Sequence, residues 1–224
     1  MNKIKYIAAL VIGIAALGLQ QAKADSIGFD LGTGNSGISG FPGPYVHVVV
    51  NRTDATHATI SFTGLINSGN IYLMGGAQAV DFNVNATSWT VGLLSSSRFP
   101  GFSSQSSDLT IAGANNADGF GSFNQTVDNF DGYTHSWTSL EFSLTNTSGT
   151  WASASAVLTP NASGLLAAAH IFVGVGNPPN PNVDALATGF AANGTPSVPD
   201  GGATAMLLGA GLSALGMVRR FLKR

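Results

Sequence analysis

Cysteine is absent from this 224-residue chain, which excludes disulfides, thiolate metal sites and thiol chemistry. Charge is scarce as well: 9% of the residues are charged, and residues 25–197 hold ten acidic residues against two arginines, a net charge of −8. An acidic segment with two cations cannot make the several phosphate contacts that nucleic acid binding needs, so nucleic acid is excluded as a partner. Glycine, serine, threonine, asparagine and alanine are abundant instead, a composition typical of secreted β proteins.

The first 24 residues have the parts of a secretory signal peptide. A basic start, residues 1–5, precedes an apolar stretch, residues 6–19, that is too short for an ordinary membrane-spanning helix. Ala22 and Ala24 then have the spacing of small residues that signal peptidase accepts. The sequence predicts cleavage after Ala24, a mature chain beginning at Asp25 and export across the inner membrane. An uncleaved anchor is the alternative.

The other end of the chain is suited to a membrane. Residues 201–218 carry no charge, and as a helix they would span roughly 27 Å, enough to cross the hydrocarbon core. The basic tail 219–224 follows directly, and the positive-inside rule keeps it in the cytoplasm. Its four cations are Arg219, Arg220, Lys223 and Arg224. We therefore expect a precursor anchored in the inner membrane with its acidic body outside.

A short motif precedes this predicted transmembrane helix. It consists of Val198, Pro199, Asp200, Gly201 and Gly202. The order of motif, apolar helix and basic tail in residues 198–224 resembles the PEP-CTERM type of sorting signal. The motif is closest to the VPDSG variant, which has serine where this chain has Gly201. The resemblance implies that an exosortase, a membrane-embedded cysteine protease or transpeptidase, cuts near Pro199 and releases or transfers the body. A plain membrane anchor is the alternative.

The body, residues 25–197, alternates apolar and polar residues with the period of β-strands. The alternating runs are residues 45–52, 57–65, 80–84, 89–93, 140–144, 152–158, 171–173 and 188–191. A polar turn between the first two predicts a hairpin. About eight to ten short strands in one domain predict an all-β fold, a single antiparallel β-sandwich or jelly roll. Residues 25–44 are predicted to be a flexible glycine-rich start, and residues 190–197 a linker to the sorting motif.

One set of side chains suits a metal ion. Asp118, Asp128 and Asp131 lie in glycine-rich, turn-like sequence, and their carboxylate oxygens suit Ca²⁺, which accepts six to eight oxygen ligands with flexible geometry. Their spacing matches no EF-hand, so a solvated acidic loop is the alternative. No other cofactor is predicted.

Candidates for catalysis are few. Glu141 is the only glutamate, and alternation places it opposite its apolar neighbours, with no identifiable carboxylate partner for acid–base chemistry. The four histidines lack ligand spacing, although His47 and His57 are placed to face each other across the first hairpin. A solvated strand glutamate and hydrogen-bonded strand histidines are therefore the favoured interpretations.

Aromatic and asparagine side chains offer two further kinds of site. Core packing is the favoured role of the tryptophans; Trp89 and Trp151 are predicted to face the core, and Trp137 has the best prospect of an exposed surface for stacking on a sugar. Six N-x-S/T sequons are close in number to what the composition alone would produce, so they are weak evidence of glycosylation. They begin at Asn51, Asn85, Asn124, Asn146, Asn161 and Asn193.

These patterns predict a non-catalytic structural or adhesive protein at the surface of a Gram-negative cell or outside it. The resemblance implies association with extracellular polysaccharide or biofilm. A neutral surface of hydroxyl and amide groups would suit that role because it bonds to glycans without charge. A carbohydrate-binding module with a Ca²⁺ or aromatic site is the first alternative, and an envelope hydrolase is the second.

Overall fold

A computed structural model describes residues 25–130 and 132–192, and within these ranges the chain forms fifteen β-strands, three short 3₁₀ helices and no α-helix. The strands are β1 (Asp25–Leu31), β2 (Thr33–Gly34), β3 (Val46–Arg52), β4 (His57–Gly64), β5 (Ile66–Asn67), β6 (Asn70–Met74), β7 (Val80–Phe82), β8 (Trp89–Ser97), β9 (Thr110–Ala112), β10 (Asn115–Ala117), β11 (Gly121–Phe123), β12 (Gln125–Asp128), β13 (Ser139–Asn146), β14 (Ala167–Gly174) and β15 (Ala187–Ala192). The 3₁₀ helices are Ser106–Asp108, Tyr133–His135 and Ala154–Ala156. Every strand pair is antiparallel, which confirms the predicted all-β antiparallel class.

The predicted membrane-associated parts are not among these residues. The signal peptide 1–24, the sorting motif 198–202, the helix 201–218 and the basic tail 219–224 all lie outside the described ranges. Within the described ranges, no helix has the length and apolar character needed to cross a membrane.

Five strands form the first sheet, in the order β1-β3-β4-β13-β8. The β3–β4 pair is the predicted hairpin, with Val46 opposite Gly64 and Arg52 opposite Ala58. Alternation is regular on four of its strands: on β13, for example, the even-numbered residues are buried and the odd-numbered ones are half-buried. On β8 the register shifts opposite Glu141 and Phe142, and Leu94 is exposed there. The first sheet therefore presents one apolar and one polar side.

Eight strands form the second sheet, and a separate hairpin joins β10 to β11. Six of the eight run in the order β2-β15-β14-β7-β12-β9, and β5 and β6 join at β14. Strand β14 is buried along nearly its whole length, because both of its sides are covered. Phe120 and Phe123, from the β10–β11 region, form a small cluster with Ala168 on the side away from the first sheet.

One core is shared by the two sheets. Phe82 of the second sheet lies 6.0 Å from Phe62 and 6.4 Å from Phe142 of the first sheet, measured between ring centroids. All three rings are fully buried. Since full burial of such a side chain stabilises a fold by about 1.5–3 kcal/mol, these contacts hold the sheets against each other.

The predicted strands match the observed ones in most places. The runs 45–52, 57–65, 89–93, 140–144, 171–173 and 188–191 lie in strands to within one residue, and the run 80–84 shortens to β7. The predicted strand at 152–158 is wrong, because that segment contains the 3₁₀ helix Ala154–Ala156. Alanine and serine have weak strand preference, and here the Asp25 carboxylate accepts a hydrogen bond from the Ala154 N–H at 2.6 Å.

The two predicted unstructured segments also differ from the structure. Residues 25–44 are not a flexible start: β1 forms an edge of the first sheet, and Phe29 and Ile38 are buried. The linker assigned to residues 190–197 begins too early, since β15 continues to Ala192. Ile27, Phe29 and Leu31 are buried at alternate positions of β1, and Gly28 between them lies beside the His47 ring, where a Cβ would be 3.2 Å from a ring carbon.

Candidate functional site

The three predicted calcium ligands are only partly described. The Asp118 carboxylate accepts a hydrogen bond from the Asn35 side chain at 3.0 Å, and Asp128 accepts one from the Gln78 N–H at 2.8 Å. Asp131 lies outside the described residues. Among the residues that are described, no group of three or more His, Cys, Asp or Glu side chains could hold a metal ion. A calcium site built from these three aspartates stays a prediction.

Glu141 lies where alternation placed it, on the polar side of the first sheet. It is half-buried, and its Oε2 accepts a hydrogen bond from the Ser95 hydroxyl at 3.0 Å. Its register partners on the neighbouring strands are Ser61 and Ser95. The one glutamate is therefore surrounded by neutral hydroxyl groups.

The two hairpin histidines do not face each other, so that prediction is wrong. His47 is opposite Thr63, whereas His57 starts β4 at the other end of the hairpin. Each pairs instead with an aspartate, His47 with Asp30 at 2.6 Å and His57 with Asp54 at 2.9 Å. Hydrogen bonds from Thr56 and His57 hold the pKa of Asp54 well below its usual range.

The prospect of an exposed Trp137 is also wrong. Trp137 is 2% exposed, because an isolated β-bridge to Met74 holds it inside the core. Trp151 is buried, as predicted. Trp89 is the half-buried tryptophan, and its indole N–H donates a hydrogen bond to Gln125 at 2.9 Å.

The polar side of the first sheet, which we call the hydroxyl face, consists mostly of small uncharged residues. Its members are Ser26, Gly28, Asp30, His47, Val49, Asn51, His57, Thr59, Ser61, Thr63, Thr90, Gly92, Ser95, Ser97, Ser139, Glu141, Ser143 and Thr145. Apart from the Asp30–His47 pair, His57 and Glu141, no ionisable side chain belongs to it. No aromatic ring other than the two imidazoles belongs to it either.

Hydroxyl groups on the two central strands of this face form a regular array. Thr59, Ser61 and Thr63 on β4 are register partners of Ser143, Glu141 and Ser139 on β13. Neighbouring strands lie about 4.8 Å apart, and residues two apart on one strand are separated by about 7 Å. β4 and β13 carry six hydroxyls on this face, and the one on Ser143 donates to the Gly92 carbonyl at 3.2 Å. The other five make no hydrogen bond to another described residue; they belong to Thr59, Ser61, Thr63, Ser139 and Thr145.

A second polar feature is an open cavity of about 520 Å³ where loops meet near the start of β8. Its polar lining consists of Asn85, Thr87, Asn124, Asn146, Ser148, Thr150 and Thr159, with no charged side chain. All three asparagines of this lining begin sequons, but the side-chain amides of two of them also make hydrogen bonds that hold neighbouring loops in place. The Asn124 side chain makes two hydrogen bonds with the backbone of Val84: it accepts one from the Val84 N–H at 2.7 Å and donates one to the Val84 carbonyl at 2.8 Å. Asn85 donates to the Ala156 carbonyl at 2.9 Å.

Asp81 is the residue that sequence reasoning missed. In the alternating run 80–84 it stands between the apolar Val80 and Phe82, where a polar residue is expected to face solvent, but it is 0% exposed. One of its oxygens accepts a hydrogen bond from the Thr126 hydroxyl, and the other is buried without a partner in the described part of the chain. Burial raises the pKa of Asp81 to about 7; the Thr126 hydrogen bond opposes this rise and the nearby Asp128 adds to it.

Comparison with known proteins bears on the C-terminal end. Residues 197–221 match a family model described as the VPDSG-CTERM motif, which confirms the resemblance to a PEP-CTERM-type sorting signal. No curated protein and no solved structure matches the chain. The match supports export, a membrane-anchored precursor in a Gram-negative cell and processing by an exosortase.

Proposed function

We propose that this chain is a cell-surface or extracellular protein, sorted by an exosortase, whose body is a non-catalytic structural or adhesive component of an extracellular polysaccharide matrix. The match at residues 197–221 supports the sorting. The hydroxyl face is the observation that carries the adhesive role. We assign the body to the β-sandwich class, since two antiparallel sheets enclose one core.

Both predicted cuts lie outside the described strands. The first described strand, β1, starts at Asp25, and the last, β15, ends at Ala192. Only residues 193–196 separate Ala192 from the start of the sorting match at 197. Cleavage near Asp25 and near Asp200 would therefore leave every described strand intact.

The chemistry of the hydroxyl face suits a neutral glycan. A hydroxyl group both donates and accepts hydrogen bonds, so an array of unpaired hydroxyls can bond to the hydroxyls of a sugar polymer in many registers. Each such bond contributes only about 0.5–1.5 kcal/mol in water. Repeated contacts along one polymer raise the overall affinity because later contacts form at high effective concentration. A weak, extended, polymer-directed adhesion follows from these features.

Intact-mass measurement of the protein from producing cells tests the sorting. We expect an exported chain that begins at Asp25 and lacks residues 202–224, because both predicted cuts remove membrane-directed segments. The Asp200→Ala variant should accumulate with its C-terminus intact. Exported wild-type protein that retains residues 202–224 would leave only the plain anchor.

A triple substitution tests the adhesive face. Thr59→Ala, Ser61→Ala and Thr63→Ala together should weaken binding to polysaccharide isolated from the producing cells at least tenfold, because about 0.5–1.5 kcal/mol is lost per hydrogen bond. The matched control carries Ser103→Ala, Ser106→Ala and Ser107→Ala, which remove three exposed hydroxyls from the segment before β9 and should leave binding unchanged. Equal binding by both variants would rule out the hydroxyl face.

A carbohydrate-binding module is the second candidate, and the uncharged amide- and hydroxyl-lined cavity favours it. In that case Thr87→Ala with Thr159→Ala, rather than the β4 substitutions, should remove binding, and short soluble oligosaccharides should compete with the polymer. Turnover of that polysaccharide, lost in Glu141→Gln, would instead indicate a hydrolase and overturn the non-catalytic role.

A further inference from the structure

Two carboxylates lie together on the side of the second sheet that faces away from the first. Asp81 on β7 is the register partner of Thr126 on β12, and Asp128 follows Thr126 by two residues. Alternation therefore places both side chains on the same side of the sheet, as diagonal neighbours with Cα atoms about 7–8 Å apart. Asp81 is fully buried and Asp128 is half-buried.

No lysine or arginine pairs with either carboxylate in the described ranges. His170 is the titratable side chain on the neighbouring strand, two residues beyond the Asp81 register partner Ala168. Its ring nitrogens lie at hydrogen-bond distance from the Ala77 carbonyl and the Thr188 hydroxyl. The two arginines there donate to backbone carbonyls, Arg52 to Trp151 and Arg98 to Ser104. The ion pairs found within those ranges join histidines to other aspartates. A buried carboxylate without a counter-charge is costly unless a proton or a cation neutralises it.

Gln78 is next to Asp128 in the fold and carries a second unpaired oxygen. Its backbone N–H donates to Asp128 Oδ1 at 2.8 Å, and its φ of +61° is unusual for a residue other than glycine. Its side-chain oxygen is buried and has no hydrogen-bond partner in the described part of the chain. Two buried oxygens, Asp81 Oδ2 and Gln78 Oε1, are thus left unpaired on the segment of chain that lies against Asp128.

We propose that Asp81, Asp128 and Gln78 form a binding site for a divalent cation, and that the ion is Ca²⁺. The donors are hard oxygens, two charged and one neutral, which is the ligand type that Ca²⁺ prefers. Ca²⁺ also accepts an irregular shell completed by water, whereas Mg²⁺ demands a near-octahedral one. A bound cation would neutralise the buried charge and supply a partner to both unpaired oxygens. This site shares only Asp128 with the acidic set predicted from the sequence.

Thermal unfolding of the full-length chain in detergent micelles, followed by tryptophan fluorescence, tests the site. The buried Trp137 and Trp151 report on the body. At pH 8, millimolar CaCl₂ should raise the wild-type Tm by several degrees over EDTA, because a ligand that binds only the folded state stabilises it, and MgCl₂ should raise it less. The Asp81→Asn variant should melt higher than wild type in EDTA and show no response to Ca²⁺.

Two further variants make the test decisive. Asp118→Asn removes one charge from the exposed acidic loop and should keep the full Ca²⁺ response. Gln78→Gly accepts the positive φ, removes the side-chain oxygen, and should shift the Ca²⁺ midpoint about tenfold upward without loss of folding. The proposal is overturned by a wild-type Tm that ignores Ca²⁺. A response that survives in Asp81→Asn, or disappears in Asp118→Asn, overturns it equally.

Discussion

At the scale of single residues, Asp81 links the fold to pH. Its pKa is raised from 3.8 to about 7, mainly because burial disfavours the charged form. The folded state therefore holds this proton more tightly than the unfolded state does. The protonated Asp81 therefore stabilises the folded state: this stabilisation is fully present below pH 4 and is lost as pH rises through 7.

In metal-free buffer, the free energy of unfolding should fall as pH rises from 4 to 7.5, by up to about 4 kcal/mol if the shift of roughly three pKa units is expressed in full. Urea titrations at several pH values would measure it. The Asp81→Asn variant should lose this slope. Asp54, whose pKa is lowered, acts with the opposite sign and mainly below pH 4, so it does not mask the effect. A wild-type slope that persists in Asp81→Asn would assign it to other groups.

The roles of some residues could be predicted from the sequence, and those of others could not. The sorting motif at 198–202 was identifiable because a linear peptide is recognised through its own side chains, without a fold. Asp81 was not identifiable, because its burial depends on a layer of chain outside the second sheet that no local pattern reveals. The burial of Trp137 was missed for the same reason, since it depends on a bridge to Met74 sixty-three positions earlier in the chain.

At the scale of elements, strand β1 forms one edge of the first sheet. Its side chains Ile27, Phe29 and Leu31 enter the shared core. Phe29→Ala should therefore destabilise the protein by about 3–5 kcal/mol, the usual loss for a buried phenylalanine, although β1 is an edge strand near the predicted mature N-terminus. Thermal or urea unfolding measures the loss. Thr33→Ala, at an exposed position nearby, serves as the control and should change stability by less than about 0.5 kcal/mol.

Strands were predictable where β-branched or large apolar residues alternated with polar ones. The β3–β4 hairpin combines valine, isoleucine and phenylalanine with threonine and serine, so pattern and propensity agree. Residues 152–156 have the alternating pattern but consist of alanine and serine alone. They contain a 3₁₀ helix instead, where the Ala154 N–H donates to the Asp25 carboxylate, 129 positions earlier in the chain. An alternating pattern of residues with low strand propensity did not produce a strand there.

At the scale of the whole molecule, the described residues form one main core and two satellite clusters. A chain consisting of residues 25–192 should therefore fold alone and unfold in one cooperative transition, with a Tm within about 2 °C of the full-length protein. Differential scanning calorimetry would check this, with equal calorimetric and van't Hoff enthalpies expected. Two transitions, or a much lower Tm, would mean that the ends contribute to the body.

Strand β13 lies between β4 and β8, although the chain visits β8 first, and Phe190 donates its N–H to the Asn35 side chain across 155 positions. Each sheet thus joins early and late parts of the polypeptide, so an emerging chain cannot complete the first sheet before β13 has appeared, or the second before β15 has appeared. Such long-range pairing is slow. A polypeptide that threads head first through a translocon must stay unfolded until it has passed, and this strand order provides that delay.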